Sequence, residues 1–124
     1  MNHPILKQFD LSGGVAVITG AGGALCGTLS HALGQAGVKV AVLDLHEEKA
    51  ELTAEAIRAA GGTAQAFATN VLDEQMLNAC YDEVKQLWGA PNYLINGAGG
   101  NDPRGTTSNE FFAQTDFENT DVTG

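Results

Sequence analysis

The chain has 124 residues, of which 44% are hydrophobic and 17% charged, with a formal net charge of −9 and two cysteines. These values describe one folded domain and argue against a disordered segment, a disulfide framework, and a nucleic-acid binder that relies on Lys and Arg. No apolar run approaches the roughly 20 residues that cross a bilayer, and no secretory leader is recognisable, so we expect a cytoplasmic protein that contacts neither nucleic acid nor membrane.

The first part of the chain predicts a β-α-β unit after a polar arm, residues 1–10. Residues 14–19 and 38–44 are nearly continuous apolar runs rich in β-branched residues, which is typical of strands covered on both faces. Between them, apolar residues recur at intervals of three and four, which predicts a helix with one buried stripe and a stop at Gly37. The stripe consists of Leu25, Leu29, Leu33 and Ala36.

The next part repeats the pattern. Strong helix formers occupy residues 47–60, and residues 63–69 read as a short strand. Asp73 is placed to cap a further helix that ends at Gly89, and residues 93–96 form a fourth strand. The buried side of this last helix is predicted to carry Leu77, Cys80, Tyr81, Val84, Leu87 and Trp88.

The resulting order is β-α-β-α-β-α-β with short connections. It predicts an α/β fold with a Rossmann-type, doubly wound parallel sheet and right-handed crossovers. No fifth strand is recognisable, so residues 1–124 read as one domain that is truncated relative to a complete sheet of this kind. Its last part, residues 108–124, is a weakly patterned tail.

A glycine-rich turn follows the first strand, in the run Thr19-Gly-Ala-Gly-Gly-Ala-Leu-Cys-Gly27. Positions without side chains let backbone N–H groups approach a pyrophosphate, and the start of the following helix adds partial positive charge. The turn therefore predicts a phosphate site. The alternative is a tight turn with close helix packing and no ligand, because Leu25 stands where the common Gly-x-Gly-x-x-Gly pattern has its last glycine.

Asp44 closes the second strand about twenty residues beyond the turn, where an acidic side chain accepts hydrogen bonds from adenosine ribose hydroxyls. The same carboxylate would repel a 2′-phosphate, so the sequence favours NAD over NADP. A second interpretation makes Asp44 the cap of the helix that starts near Glu47.

Four landmarks in order resemble the short-chain dehydrogenase/reductase family. Thr19-Gly-x-x-x-Ala-Leu-Cys26 resembles the family's Thr-Gly-x-x-x-Gly-x-Gly turn, Asn70-Val71 its Asp-Val, and Asn96-Gly-Ala-Gly99 its Asn-Asn-Ala-Gly, with Asp44 between the first two. The resemblance implies that a dinucleotide lies along these segments. Its pyrophosphate would meet Gly20, Gly22, Gly23 and Leu25, its adenosine ribose Asp44 and Leu45, its adenine Asn70 and Val71, and its nicotinamide-side ribose Asn96, Ala98 and Gly99.

The chain departs from the family pattern at several of these landmarks. Ala24 and Cys26 replace two glycines, Gly97 replaces the second asparagine, and Asn70 replaces an aspartate while keeping its hydrogen-bonding capacity. The run Asn96-Gly-Ala-Gly-Gly-Asn-Asp-Pro103 resembles a subgroup whose members act on sugar acids such as fructuronate or mannonate.

The resemblance also implies a catalytic tyrosine, a lysine four residues after it, and a serine that polarises the carbonyl. In the family these residues follow a fifth strand, so we assign no catalytic residue and expect the 124-residue chain alone to be inactive. A Tyr-x-x-x-Lys pair occurs at Tyr81 and Lys85, but on the predicted buried face of a helix. The three histidines lack the spacing and partners of a metal site, so no metal is expected.

The predicted function is thus that of an NAD-dependent oxidoreductase acting on an alcohol or carbonyl substrate, with a sugar acid as one candidate. The expected partners are NAD(H), the small-molecule substrate, and further copies of the chain, since a half sheet that ends at residues 93–96 exposes an apolar edge. The alternative is a stand-alone nucleotide-binding or structural module without turnover.

Overall fold

A computed structural model describes residues 3–100 of the chain. The predicted tail, residues 108–124, lies outside the described residues and stays a prediction. The elements in chain order are α1 (Pro4–Lys7), β1 (Val15–Thr19), α2 (Ala24–Gln35), β2 (Lys39–Asp44), α3 (Glu47–Ala59), β3 (Thr63–Ala68), α4 (Glu74–Trp88) and β4 (Tyr93–Asn96). The short helix α1, capped by the His3 side chain, lies where the sequence predicted only a polar arm.

The described strands form one parallel sheet in the order β3-β2-β1-β4. In the centre of the sheet, Ile18 of β1 lies opposite Val42 of β2 and Ile95 of β4. The chain moves outward from β1 to β3 and then crosses back to the other side of β1. The strand order therefore reverses between β1 and β4, and a crevice opens at the carboxyl ends of the strands there. The predicted α/β, Rossmann-type architecture is confirmed.

Both faces of the sheet are covered, because four consecutive residues of β2 are buried. On one face, Ile18, Val40 and Val42 pack with Ala54 and Ile57 of α3. On the other face, Cys80 and Val84 of α4 pack against a second cluster of strand residues. These strand residues are Val15, Ala41, Leu43 and Phe67.

The predicted buried stripe of α2 is wrong. The helix buries Cys26, Ser30 and Gly34, whereas Leu25 is 74% and Leu29 40% exposed. Ala36 is also exposed, and only Leu33 packs partly against the core. The buried face of α2 consists of small residues because α2 packs closely against α3. A methyl group on Gly34 would lie 2.6 Å from Ile57 Cγ2. Periodicity alone does not reveal so close an approach.

The predicted buried face of α4 is correct only in part. Cys80 and Val84 are buried and Leu77 and Trp88 are half-buried, but Tyr81 and Leu87 are exposed. The reason is that the apolar stripe of α4 is wider than the part of the described sheet that packs against α4. Leu94 of β4 is likewise 63% exposed.

Candidate functional site

A cleft of about 690 Å³ opens at the carboxyl ends of the strands. The turn after β1, the end of β2, the segment after β3 and the segment after β4 all contribute to its wall. The lining residues are Gly20, Gly23, Leu43, Asp44, Leu45, His46, Thr69, Asn70, Val71, Leu72, Gly97, Ala98, Gly99 and Gly100.

The glycine-rich turn joins β1 to α2 along one side of the cleft. Gly20 begins it with φ +65°, a conformation that residues with a Cβ rarely adopt. Helix α2 then starts after the N-cap Gly23 with no side-chain cap and no acidic residue in its first turn. The N–H groups of the first helical turn have no intrahelical acceptor and carry the positive end of the helix dipole. The start of α2 is thus suited to an anion.

Asp44 holds this turn against the end of β2. Its Oδ2 accepts a hydrogen bond from the Gly22 N–H at 3.0 Å, and its Oδ1 accepts one from the His46 N–H at 2.9 Å. Gly22 approaches so closely that a methyl group there would lie 2.6 Å from Lys49 Cβ and 2.8 Å from Asp44 Oδ2. The N-cap of α3 is His46, so Asp44 supports the start of α3 without being its capping residue.

The segment after β3 forms the far wall of the cleft. The Asn70 Oδ1 accepts a hydrogen bond from the Leu72 N–H at 3.0 Å, and the Thr69 N–H donates to the Asp44 carbonyl at 2.9 Å. Three apolar side chains stand exposed at this end: Leu45, Val71 and Leu72. They form an apolar rim beside the Asp44 carboxylate, which is the setting that a flat, partly polar ring prefers.

Thr19 joins the ends of β1 and β4. Its buried Oγ1 accepts hydrogen bonds from the Gly97 N–H at 3.0 Å and the Ala98 N–H at 3.1 Å. Thr19 belongs to the turn motif but was not predicted as a site residue. Its position as the last residue of β1 was the available signal, since a hydroxyl there faces the ends of both neighbouring strands.

Most of the predicted site residues line one cleft: Gly20, Gly23, Asp44, Leu45, Asn70, Val71, Ala98 and Gly99. Gly22 contacts Asp44 but faces the groove between α2 and α3. The Leu25 side chain is exposed, and Asn96 lines a separate apolar cavity of about 470 Å³. His46, Thr69 and Leu72 also line the cleft. They were not predicted as site residues, because none of them belongs to a glycine or carboxylate motif.

Within the part of the chain that the structure describes, the titratable side chains lining the cleft are Asp44 and His46. Tyr81 is 46% exposed rather than buried, and it lines the apolar cavity together with Leu77 and Leu94. In the same cavity, burial raises the pKa of the Cys80 thiol, outweighing a hydrogen bond with Thr69.

Residues 3–100 hold no group of three or more His, Cys, Asp or Glu side chains arranged to bind a metal ion. None of their helices combines the length and the apolar character that crossing a membrane requires.

Residues 14–122 match the sequence profile described as short chain dehydrogenase. An uncharacterized oxidoreductase of Haemophilus influenzae is 40% identical over 107 residues, which make up 86% of this chain and 38% of that protein.

Two solved structures share the fold. A candidate D-mannonate oxidoreductase from Haemophilus influenzae, with bound NAD, gives a TM-score of 0.78 at 38% identity, over 93% of this chain and 43% of that one. A metagenomic short-chain oxidoreductase in complex with NADP gives a TM-score of 0.70 at 32% identity, over 73% of this chain and 41% of that one. The chain therefore spans less than half the length of these proteins.

Proposed function

The chain belongs to the short-chain dehydrogenase family of oxidoreductases, and on that premise we propose that it is the NAD-binding domain of an enzyme that interconverts an alcohol and a carbonyl compound. One observation carries the proposal. The Asp44 carboxylate and the uncapped start of α2 meet at one cleft, linked by the hydrogen bond from the Gly22 N–H. A ribose acceptor and an anion site would then lie side by side, as the adenosine half of a dinucleotide requires.

In this proposal a dinucleotide would lie along the cleft and the turn beside it. Asp44 and Leu45 would contact the adenosine ribose, and Asn70 and Val71 the adenine, at the apolar rim. The pyrophosphate would lie at Gly20, Gly22 and Gly23 and at the Leu25 N–H in the first turn of α2. The nicotinamide-side ribose would lie at Asn96, Ala98 and Gly99, which the Thr19 hydroxyl helps to hold through Ala98. Bound NAD would supply the hydride acceptor of the reaction.

The preference for NAD over NADP rests on charge. A 2′-phosphate would enter beside the Asp44 carboxylate, and no Lys or Arg stands among the described residues that line the cleft. Like charges at close range repel, most strongly where solvent screening is reduced. Lys49, whose Cβ lies near Gly22, lines the neighbouring groove between α2 and α3.

For the substrate, we favour a sugar acid. The support is the similarity to the candidate D-mannonate oxidoreductase at 38% identity and the run from Asn96 to Pro103, which resembles the sugar-acid subgroup. We also favour a homo-oligomer, since Tyr93 and Leu94 of β4 are exposed in the described part of the chain. A cytoplasmic location is consistent with the two free, buried thiols, Cys26 and Cys80.

The second candidate function is a nucleotide-binding module without turnover. It is favoured by the small set of titratable groups at the cleft, Asp44 and His46 in residues 3–100. Turnover separates the two candidates, because both bind the nucleotide but only the first transfers hydride.

The test combines binding and turnover in the purified full-length protein. NADH binding is followed by dihydronicotinamide fluorescence, and a panel of sugar acids and polyols is then offered with NAD. We expect saturable NADH binding that Asp44→Ala weakens about tenfold or more, while Glu48→Gln, a charge change on the exposed side of α3, leaves it unchanged. Binding without turnover on any compound would favour the module; no binding at all would refute both candidates.

A further inference from the structure

Cys26 and Gly97 meet behind the cleft. Cys26, in the first turn of α2, is only 6% exposed, and Gly97 directly follows β4. A methyl group on Gly97 would collide with the Cys26 Sγ and would also lie 3.2 Å from Cys26 Cβ and 2.8 Å from the Thr19 carbonyl oxygen. The Cys26 side chain therefore fills the space into which a side chain at position 97 would project.

This contact links two departures from the family pattern that the sequence alone presents as separate. The pattern has glycine at position 26 and asparagine at position 97, whereas this chain has a side chain at position 26 and none at position 97. A cysteine at position 26 with asparagine at position 97 would place two side chains in the same space, whereas glycine at both positions would leave the space empty. In this chain the side chain that fills the space comes from helix α2 instead of from the segment after β4.

Gly97 is held from three sides. The Thr19 Oγ1 accepts a hydrogen bond from the Gly97 N–H. The Gly97 carbonyl packs closely on Gly20, so that a methyl group on Gly20 would lie 2.6 Å from the Gly97 carbonyl oxygen. Cys26 closes the remaining side. Its own turn of helix is anchored by Ser30, a fully buried residue whose Oγ donates to the Cys26 carbonyl at 2.6 Å.

We propose that Cys26 is a positioning residue: it occupies the side-chain space of position 97 and thereby sets where the segment 97–99 lies along the cleft. The inference rests on the proposed function, because this segment would contact the nicotinamide half of the dinucleotide. The adenosine half would contact other residues, Asp44 and Asn70 among them. A change at the Cys26–Gly97 contact should therefore alter binding of the nicotinamide half selectively.

The test compares four forms of the full-length protein: the parent, Gly97→Ala, Cys26→Gly, and the double variant. NAD affinity, ADP affinity and thermal midpoint are measured for each, since ADP contains the adenosine half alone. We expect Gly97→Ala to weaken NAD binding about tenfold or more and ADP binding less than about twofold, and Cys26→Gly to restore most of the loss in the double variant. The restoration is incomplete, because the added methyl still faces the Thr19 carbonyl oxygen.

Two controls keep the test decisive. Gly100→Ala adds the same methyl where no other atom of the described residues 3–100 lies within 4 Å, so its thermal midpoint should match the parent's. If Gly97→Ala does not fold, Cys26→Ala, which removes only the sulfur atom, should weaken NAD binding and spare ADP binding, and the double variant should fold.

The two hypotheses fail differently. Equal effects of Gly97→Ala with and without Cys26 would overturn the shared space, and equal losses of NAD and ADP affinity would overturn the positioning role. If the parent protein binds neither nucleotide, the proposed function fails. The thermal midpoints of the four forms would then still show whether the two positions share one space.

Discussion

The Gly22 N–H donates a hydrogen bond to the Asp44 Oδ2 at 3.0 Å, across 22 residues of sequence. Since Oδ1 accepts from the His46 N–H, both carboxylate oxygens hold backbone in place. Each oxygen keeps a further lone pair for a ribose hydroxyl. Asp44 therefore has two tasks in this account: it positions the glycine-rich turn, and it offers the acceptor for the adenosine ribose.

Replacing Gly22 by alanine should disrupt the turn. The new methyl would lie 2.6 Å from Lys49 Cβ and 2.8 Å from Asp44 Oδ2, so the turn must move away from β2. We expect a loss of about 1–3 kcal/mol in the free energy of unfolding and a clear loss of NADH affinity, measured by urea titration and fluorescence. Gly100→Ala is the matched control for stability. Unchanged stability and affinity in Gly22→Ala would show that the approach to Asp44 is not tight.

Asn92 connects the start of β1 to the turn before β4. Its Oδ1 accepts the Val15 N–H at 2.9 Å, while its own N–H donates to the Val15 carbonyl at 2.8 Å. Asn92→Ala leaves the Val15 N–H without its acceptor, so we expect a loss of about 1–3 kcal/mol in stability. Asn78→Ala, at an exposed position of α4, should change it by less than about 0.5 kcal/mol. Similar effects of the two substitutions would contradict this role for Asn92.

The orientation of α2 predicts an unequal pair of substitutions. Leu25 is 74% exposed, so Leu25→Ala should alter the free energy of unfolding by less than about 0.5 kcal/mol. Ile57 packs against Gly34 and is 1% exposed. Its replacement by alanine should lower the free energy of unfolding by about 2–5 kcal/mol. A large loss in the free energy of unfolding for Leu25→Ala would indicate that the leucine stripe is the buried face of α2 after all.

Tyr81 should not act in proton transfer. It lines the apolar cavity with Leu77 and Leu94 and is absent from the wall of the cleft. If the proposed activity is found, we expect Tyr81→Phe to leave kcat and kcat/KM of the full-length protein within about twofold of the parent, because only a group beside the reacting atoms contributes the hundredfold or more of general acid catalysis. A loss of that size, with the thermal midpoint unchanged, would make Tyr81 the catalytic acid.

The sequence predicted the strands, the long helices and most of the cleft because these depend on local signals. The β-branched runs, the Asp73 cap and the spacing from Gly20 to Asp44 are all readable from neighbouring residues. Helix orientation was not predictable in the same way. Whether Leu25 or Cys26 turns inward is decided by how closely Gly34 lets α2 approach Ile57, a contact between residues far apart in sequence.

Some site residues likewise depend on contacts between residues far apart in sequence, and so were not predicted. Thr19 acts through hydrogen bonds to Gly97 and Ala98, which lie 78 and 79 residues away. Cys26 and Gly97 were each noted as departures from the family pattern, but nothing in the sequence indicates that they occupy one space. Such pairs become visible only when the sheet brings the ends of β1 and β4 together.

The central claim is that the cleft binds NAD(H) through Asp44 in preference to NADP(H). The most direct measurement is calorimetric titration of the full-length protein with NAD and NADP at fixed ionic strength, repeated on Asp44→Asn, with Asp82→Asn as a charge-matched control on the exposed face of α4. The account predicts tighter binding of NAD, a preference that Asp44→Asn reduces by about tenfold or more, and an unchanged preference in Asp82→Asn. Tighter binding of NADP by the parent protein would contradict the claim, and Lys49 would then be the first residue to test as a contact of the 2′-phosphate.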